Sequence, residues 1–145
     1  MKKLCVFFLF LTTHLLTTAQ NYQKTDLGLK TIINSFDVEI QFFNNDIVRI
    51  LKSPIGSTFN KKSFSVIKTP EKVDIHIKQT DNTIEVIGKT LHLSINLKSG
   101  QINFFNKTEK LLLAEKEFGT KFAPTIDSSE NAFITKQSFR LTPNE

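Results

Sequence analysis

The sequence predicts an all-β fold, an antiparallel β-sandwich, and three observations carry that prediction. Apolar residues recur at every second position through most of the chain, the pattern of strands with one buried and one solvated face. Turn-forming dipeptides fall between these runs at hairpin spacing. The 3.6-residue period of an amphipathic helix is nearly absent. The 145 residues are 39% hydrophobic and 23% charged, with 5 Gly and 4 Pro, which is the composition of one folded domain. Of the aromatics, 14 are Phe, one is Tyr and none is Trp. Phe has no polar handle, so these rings suit a core better than a recognition surface.

Taken from the N-terminus, residues 1–19 read as a secretory signal peptide. Lys2 and Lys3 form a positive start, Leu4 to Leu11 an apolar run, and Thr17-Thr18-Ala19 a cleavage site before Gln20. Thr12, Thr13 and His14 interrupt the run before it reaches the roughly 20 residues that span a bilayer. Cys5, the only cysteine, lies too early to be a lipoprotein cysteine, and a lone thiol makes neither an internal disulfide nor a multi-cysteine metal site. Loss of Lys2 and Lys3 from 19 basic groups, set against 14 acidic ones, leaves a net charge of about +3. The remaining lysines are dispersed from Lys24 to Lys136, whereas nucleic-acid binding concentrates basic groups on one face. The expectation is a periplasmic or secreted domain over residues 20–145, without nucleic acid or membrane as partner once the leader is removed.

After a polar start at Gln20–Asp26, alternation marks about ten strand-like runs between Leu29 and Leu141. Val38-Ile40-Phe42 and Val48-Ile50 come first, with Asn44-Asn45 between them. A longer connection, Ser53–Lys62, holds Pro54 and Gly56 and leads to Phe64-Val66. Val73, Ile75 and Ile77, then Ile84 and Val86, then Leu91, Leu93, Ile95 and Leu97 form a meander, turned at Asp81-Asn82 and Gly88-Lys89. With two-residue turns at both places, Ile77 faces Val86 and Ile84 faces Leu93, so both hairpins bury the same face. Ser99-Gly100 leads to Ile102-Phe104, and a second long connection, Lys116–Asn131, precedes Phe133-Thr135. The two long connections are the places where function is expected to sit, as loops carry most binding and catalytic residues.

Candidate chemistry is sparse. His76 and His92 lie on the polar face of the meander, and the register places Lys78, Glu85 and His92 in one row. His76 pairs with Ile87, displaced from that row, so a solvated face with a Lys78–Glu85 pair outweighs a two-histidine, one-carboxylate metal site. No serine sits in a Gly-x-Ser-x-Gly turn. Glu115, Glu117, Asp127 and Glu130 gather around the 116–131 connection, where two acids flanking a cleft could hydrolyse a glycoside, although an acidic loop is ordinarily just solvated. Asn106-Lys107-Thr108 fits a glycosylation sequon, a pattern common by chance. Phe43, Phe105 and Ile67 fall out of phase with their strands and are expected to point outward, joined by Phe118 and Phe122 from the long connection.

Three segments together resemble the N-terminal β-sandwich of family 31 glycoside hydrolases, the α-glucosidases and α-xylosidases. They are Asp46–Pro54, with its Ile-Val-Arg-Ile strand; Leu91–Phe104, a hairpin turned at a glycine; and Ser138–Glu145, similar to the last strand before a Tyr-Gly-Leu-Gly stretch. The resemblance covers about residues 22–145 and implies a galactose-mutarotase-like supersandwich. It also implies a partner, a (β/α)₈ barrel C-terminal to this segment, which holds both catalytic acids. Accordingly no catalytic, cofactor-binding or metal-binding residue is assigned in this chain, no cofactor is expected, and the segment alone should not hydrolyse glycosides. Contact with carbohydrate would be weak or indirect. The alternative is a self-standing periplasmic domain whose binding of carbohydrate, or scaffolding, is its whole activity.

Overall fold

The computed structural model describes residues 20–57, 65–127 and 130–141. The leader at 1–19, Phe64 and the last four residues of the Ser138–Glu145 segment lie outside these ranges. Every regular element among the described residues is a strand: β1 Tyr22–Thr25, β2 Gly28–Ile33, β3 Phe36–Phe42, β4 Val48–Pro54, β5 His76–Thr80, β6 Thr83–Ile87, β7 Leu91–Asn96, β8 Ile102–Asn106, β9 Leu111–Glu115, β10 Lys121–Asp127, β11 Glu130–Lys136 and β12 Phe139–Arg140. They form a four-stranded sheet ordered β1-β2-β3-β4, a six-stranded sheet ordered β12-β9-β8-β7-β6-β5, and a separate hairpin of β10 and β11. All pairings are antiparallel.

The core lies between the two larger sheets. Leu29 and Ile33 of β2 and Val38, Ile40 and Phe42 of β3 meet Ile84, Val86, Leu93, Ile95 and Ile102 of β6, β7 and β8. These are the alternate residues that the two-residue period selects, and Ile84, Val86, Leu93 and Ile95 are fully buried. Ile77 packs on the margin of the same cluster.

The β5–β6 register is the expected one, with Ile77 opposite Val86 across the Asp81-Asn82 turn. At the next hairpin the structure corrects the expectation. Ile84 faces Ile95 rather than Leu93, because the turn residues are Lys89-Thr90 and the Gly88 N–H donates to the Leu91 carbonyl. A Cβ at Gly88 would stand 3.1 Å from that carbonyl and 3.5 Å from the Phe42 ring. Its glycine therefore serves close approach rather than the turn itself. Moving the turn by one residue shifts the register by two, so the buried face is preserved.

Other boundaries also move. The polar start contains β1, whose Tyr22 lies against the core and pairs with Thr31. Val73 and Ile75 precede β5 and are not in a strand, though Ile75 is buried, and Val66 is likewise outside any strand. Most notably, much of the 116–131 connection is strand β10, paired residue by residue with β11. Pro124 does not prevent this, since in a two-stranded ribbon each strand has a free edge for a residue lacking its N–H.

Candidate functional site

Four strands cannot cover six. The outer strands of the larger sheet, β9 and β12, meet the edge strand β4 and the β10–β11 hairpin around a common opening. A partly open cleft of about 330 Å³ remains, lined by Ile50 of β4, Phe104 and Leu113 of the large sheet, Phe122 and Thr135 of the hairpin, and Phe139 of β12. Phe122 is fixed edge-on between Phe36 (5.1 Å between centroids) and Phe133 (6.3 Å). Consecutive Leu111, Leu112 and Leu113 are 37%, 48% and 42% exposed, and Phe133 and Phe139 are also exposed. Exposed apolar side chains gathered at a cleft, as Leu113 and Phe139 are, mark a place of interaction more often than an isolated one does.

A buried ion pair closes the inner end of the cleft. Lys52 stands two residues beyond Ile50 on β4, in the phase that faces the opposite sheet, and Glu115 holds the same phase two residues beyond Leu113 on β9. Their side chains are only 9% and 6% exposed, and Nζ lies 2.6 Å from Oε2. The Lys52 ammonium also donates to the Thr120 hydroxyl (3.1 Å) and the Gly100 carbonyl (3.4 Å). Glu115 accepts from the Ile102 N–H at Oε2 and from Gln137 Nε2 at Oε1, while Thr120 donates to Gln137. One network thereby joins both large sheets to the segments flanking the hairpin. Glu115 is therefore not part of a solvated acidic loop, and the sequence signal for the pair lies on one side only, in a lysine at the apolar phase of β4, because Leu111-Leu112-Leu113-Ala114 gives β9 no alternation.

The acidic group does not converge. Glu115 is committed to Lys52 and Gln137, whereas Glu117, before β10, and Asp127, its last residue, are exposed, and the Glu130 side chain is outside the description. Asn106 ends β8 and braces the turn that follows, its Oδ1 accepting from the N–H groups of Thr108 and Lys110 and from the Thr108 hydroxyl.

On the outer face of the large sheet, His76 lies opposite Ile87 as expected, but Glu85 faces Ser94 instead of His92. The row is replaced by a diagonal arrangement. His92 Nε2 lies 2.5 Å from Glu85 Oε2, Nδ1 lies 2.9 Å from Glu109 Oε2, and Ser94 donates to Glu85 Oε1 at 2.8 Å. The carboxylate of Glu85 is thus engaged by Ser94 and His92, not by Lys78. Among the described residues no group of three or more His, Cys, Asp or Glu is arranged to hold a metal ion.

The apolar residues expected to point outward divide. Ile67 is 95% exposed and Phe118 is exposed, as expected. Phe43, in contrast, is buried, because its backbone has turned beyond β3 and the Arg49 guanidinium lies 5.7 Å from its ring centroid. Phe105 does point to the outer face but is half-buried against the His92 ring, 5.5 Å away.

Comparison with known proteins agrees with the architecture. The family model for the glycosyl hydrolase 31 N-terminal galactose mutarotase-like domain matches residues 37–145. Over 85 residues, 59% of this chain, the sequence is 31% identical to Alpha-glucosidase 2 of Bacillus thermoamyloliquefaciens. In solved structures the fold is similar to part of a family 31 alpha-xylosidase from Xanthomonas citri, with a TM-score of 0.76 at 18% identity over 83% of this chain. It is also similar to part of a family 31 dextranase from Flavobacterium johnsoniae, with a TM-score of 0.59 at 23% identity over 70% of this chain. The chain spans only 11% of the glucosidase, 14% of the xylosidase and 13% of the dextranase.

Proposed function

The chain belongs to the glycosyl hydrolase 31 N-terminal galactose mutarotase-like domains, and from that membership we propose that it serves as an exported, non-catalytic module of an α-glycosidase. In this reading hydrolysis of O-glycosyl bonds resides in a catalytic barrel, and the module packs on that partner. The observation that carries it is the open apolar cleft between β4, β9, β12 and the hairpin, a surface whose Leu113, Phe133 and Phe139 are left for another body to cover. Sugar recognition by ring stacking has little support here, because Tyr22, the only Tyr in a chain without Trp, packs against the core. An assay of the purified chain with aryl α-glycosides and free sugars tests the reading. No turnover and weak, non-saturating sugar binding are the expected results; turnover would place catalysis in this chain and overturn it.

Export rests on the positive start, apolar run and small residues of positions 1–19. N-terminal sequencing of the exported protein should read Gln20 first. A chain that still begins at Met1, or one retained in the cytoplasm, contradicts it.

A further inference from the structure

Among the described residues, both ring nitrogens of His92 meet carboxylates. Nε2 meets Glu85 at 2.5 Å and Nδ1 meets Glu109 at 2.9 Å. A neutral imidazole has one N–H donor and one lone pair, while a carboxylate only accepts. One of these two contacts would then set a lone pair against an anionic oxygen. Both become favourable when the ring carries two protons, and each is then a charge-assisted hydrogen bond.

We propose that His92 is a pH-operated clasp that, as the imidazolium, ties the turn between β8 and β9 to β6 and β7. The two ends of the clasp are unequal. Glu85 is braced by Ser94 and is about a quarter exposed, whereas Glu109 is two-thirds exposed and has no such brace among the described residues. When the ring loses a proton it keeps its remaining N–H on Glu85, and the Nδ1 lone pair is left facing Glu109. That contact opens. Glu109 has φ of 58°, in the left-handed region that L side chains adopt rarely, so a backbone conformation held at some cost loses one of its ties. The turn feeds directly into Leu111–Leu113, so the clasp controls how firmly the start of the exposed apolar strand is held.

The charged groups around the ring are few. Glu85 faces it from β6 and Glu109 from the turn, while β8 contributes the uncharged Phe105. On β5, one strand farther, Lys78 lies opposite Glu85 and His76 opposite Ile87. Lys107 and Lys110 flank Glu109 on the turn and are exposed, as is Lys89 at the β6–β7 turn. Partial burial by itself would lower the His92 pKa, but the hydrogen bonds and charges of Glu85 and Glu109 outweigh it and raise the pKa above 6.5. A histidine raised on folding stabilises the fold fully below 6.5 and loses that contribution as pH rises through its folded midpoint.

An imidazole NMR titration of the full chain tests the clasp, with the His92 signals identified by their loss in His92→Gln. The expected midpoint lies above 6.5 and falls in Glu109→Gln, an exposed substitution that leaves the core untouched. The Thr108 and Glu109 amide shifts should move with the same midpoint, and that movement should vanish in His92→Gln. A His92 midpoint at or below 6.5 overturns the proposal, as does a turn whose resonances ignore the ring's titration. A proton found on Glu85 or Glu109 beside a neutral ring also overturns it.

Discussion

Replacing Lys52 by alanine is expected to destabilise the domain by about 3–5 kcal/mol, since removing one partner of a buried pair leaves an uncompensated charge. Glu115 would keep Gln137 and the Ile102 N–H but lose its ion-pair partner, the one cation within 4 Å of it among the described residues. The penalty belongs to the stranded carboxylate, which makes a specific second variant informative. Lys52→Met combined with Glu115→Gln removes both charges, fills a similar volume and leaves an amide oxygen for the Ile102 N–H. Chemical denaturation should show the double variant recovering most of the loss. If the double variant is no better than Lys52→Ala, the pair does not act through its charge.

Truncation of Leu93 to alanine should cost about 2–5 kcal/mol, the usual range for opening a cavity at a fully buried leucine. Leu93 is 0% exposed and pairs with Val86 and Phe104 on the inner face of the six-stranded sheet. His76→Ala, an exposed change on the outer face, should stay within about 0.5 kcal/mol. Denaturation midpoints of the two variants compare them directly, and similar losses would mean that the sheet does not bury the face described.

The sequence made the buried faces legible because a two-residue period survives errors in the turns. A turn displaced from Gly88-Lys89 to Lys89-Thr90 changed which residues pair and left every core side chain inside. Elements failed where local chemistry imitates a loop. Gly119, Pro124 and consecutive Ser128 and Ser129 in the sequence disguised the β10–β11 hairpin, and the polar Gln23 and Lys24 disguised the edge strand β1. The site features were hidden for a different reason. Lys52 and Glu115 are 63 residues apart and meet only when two sheets stack, and His92 reaches Glu109 across a turn 17 residues away. Lys52 in the apolar phase of β4 was the one clue available beforehand, because the unbroken apolar run of β9 hides which face Glu115 takes. Family resemblance fared better, because it rests on the order of three strand segments rather than on any single contact.

We propose the cleft beside β9 and β12 as a docking surface rather than a sugar site. Its most direct test is hydrophobic-dye fluorescence of the purified chain beside a Leu113→Ser, Phe133→Ser, Phe139→Ser variant, with free sugars titrated into both. These three side chains are already exposed, so the variant should fold. The account predicts that the parent chain binds dye, that the variant loses most of that signal, and that sugar displaces dye from neither. A parent chain that ignores the dye while binding sugar tightly and saturably would contradict it and make this a self-standing carbohydrate-binding domain.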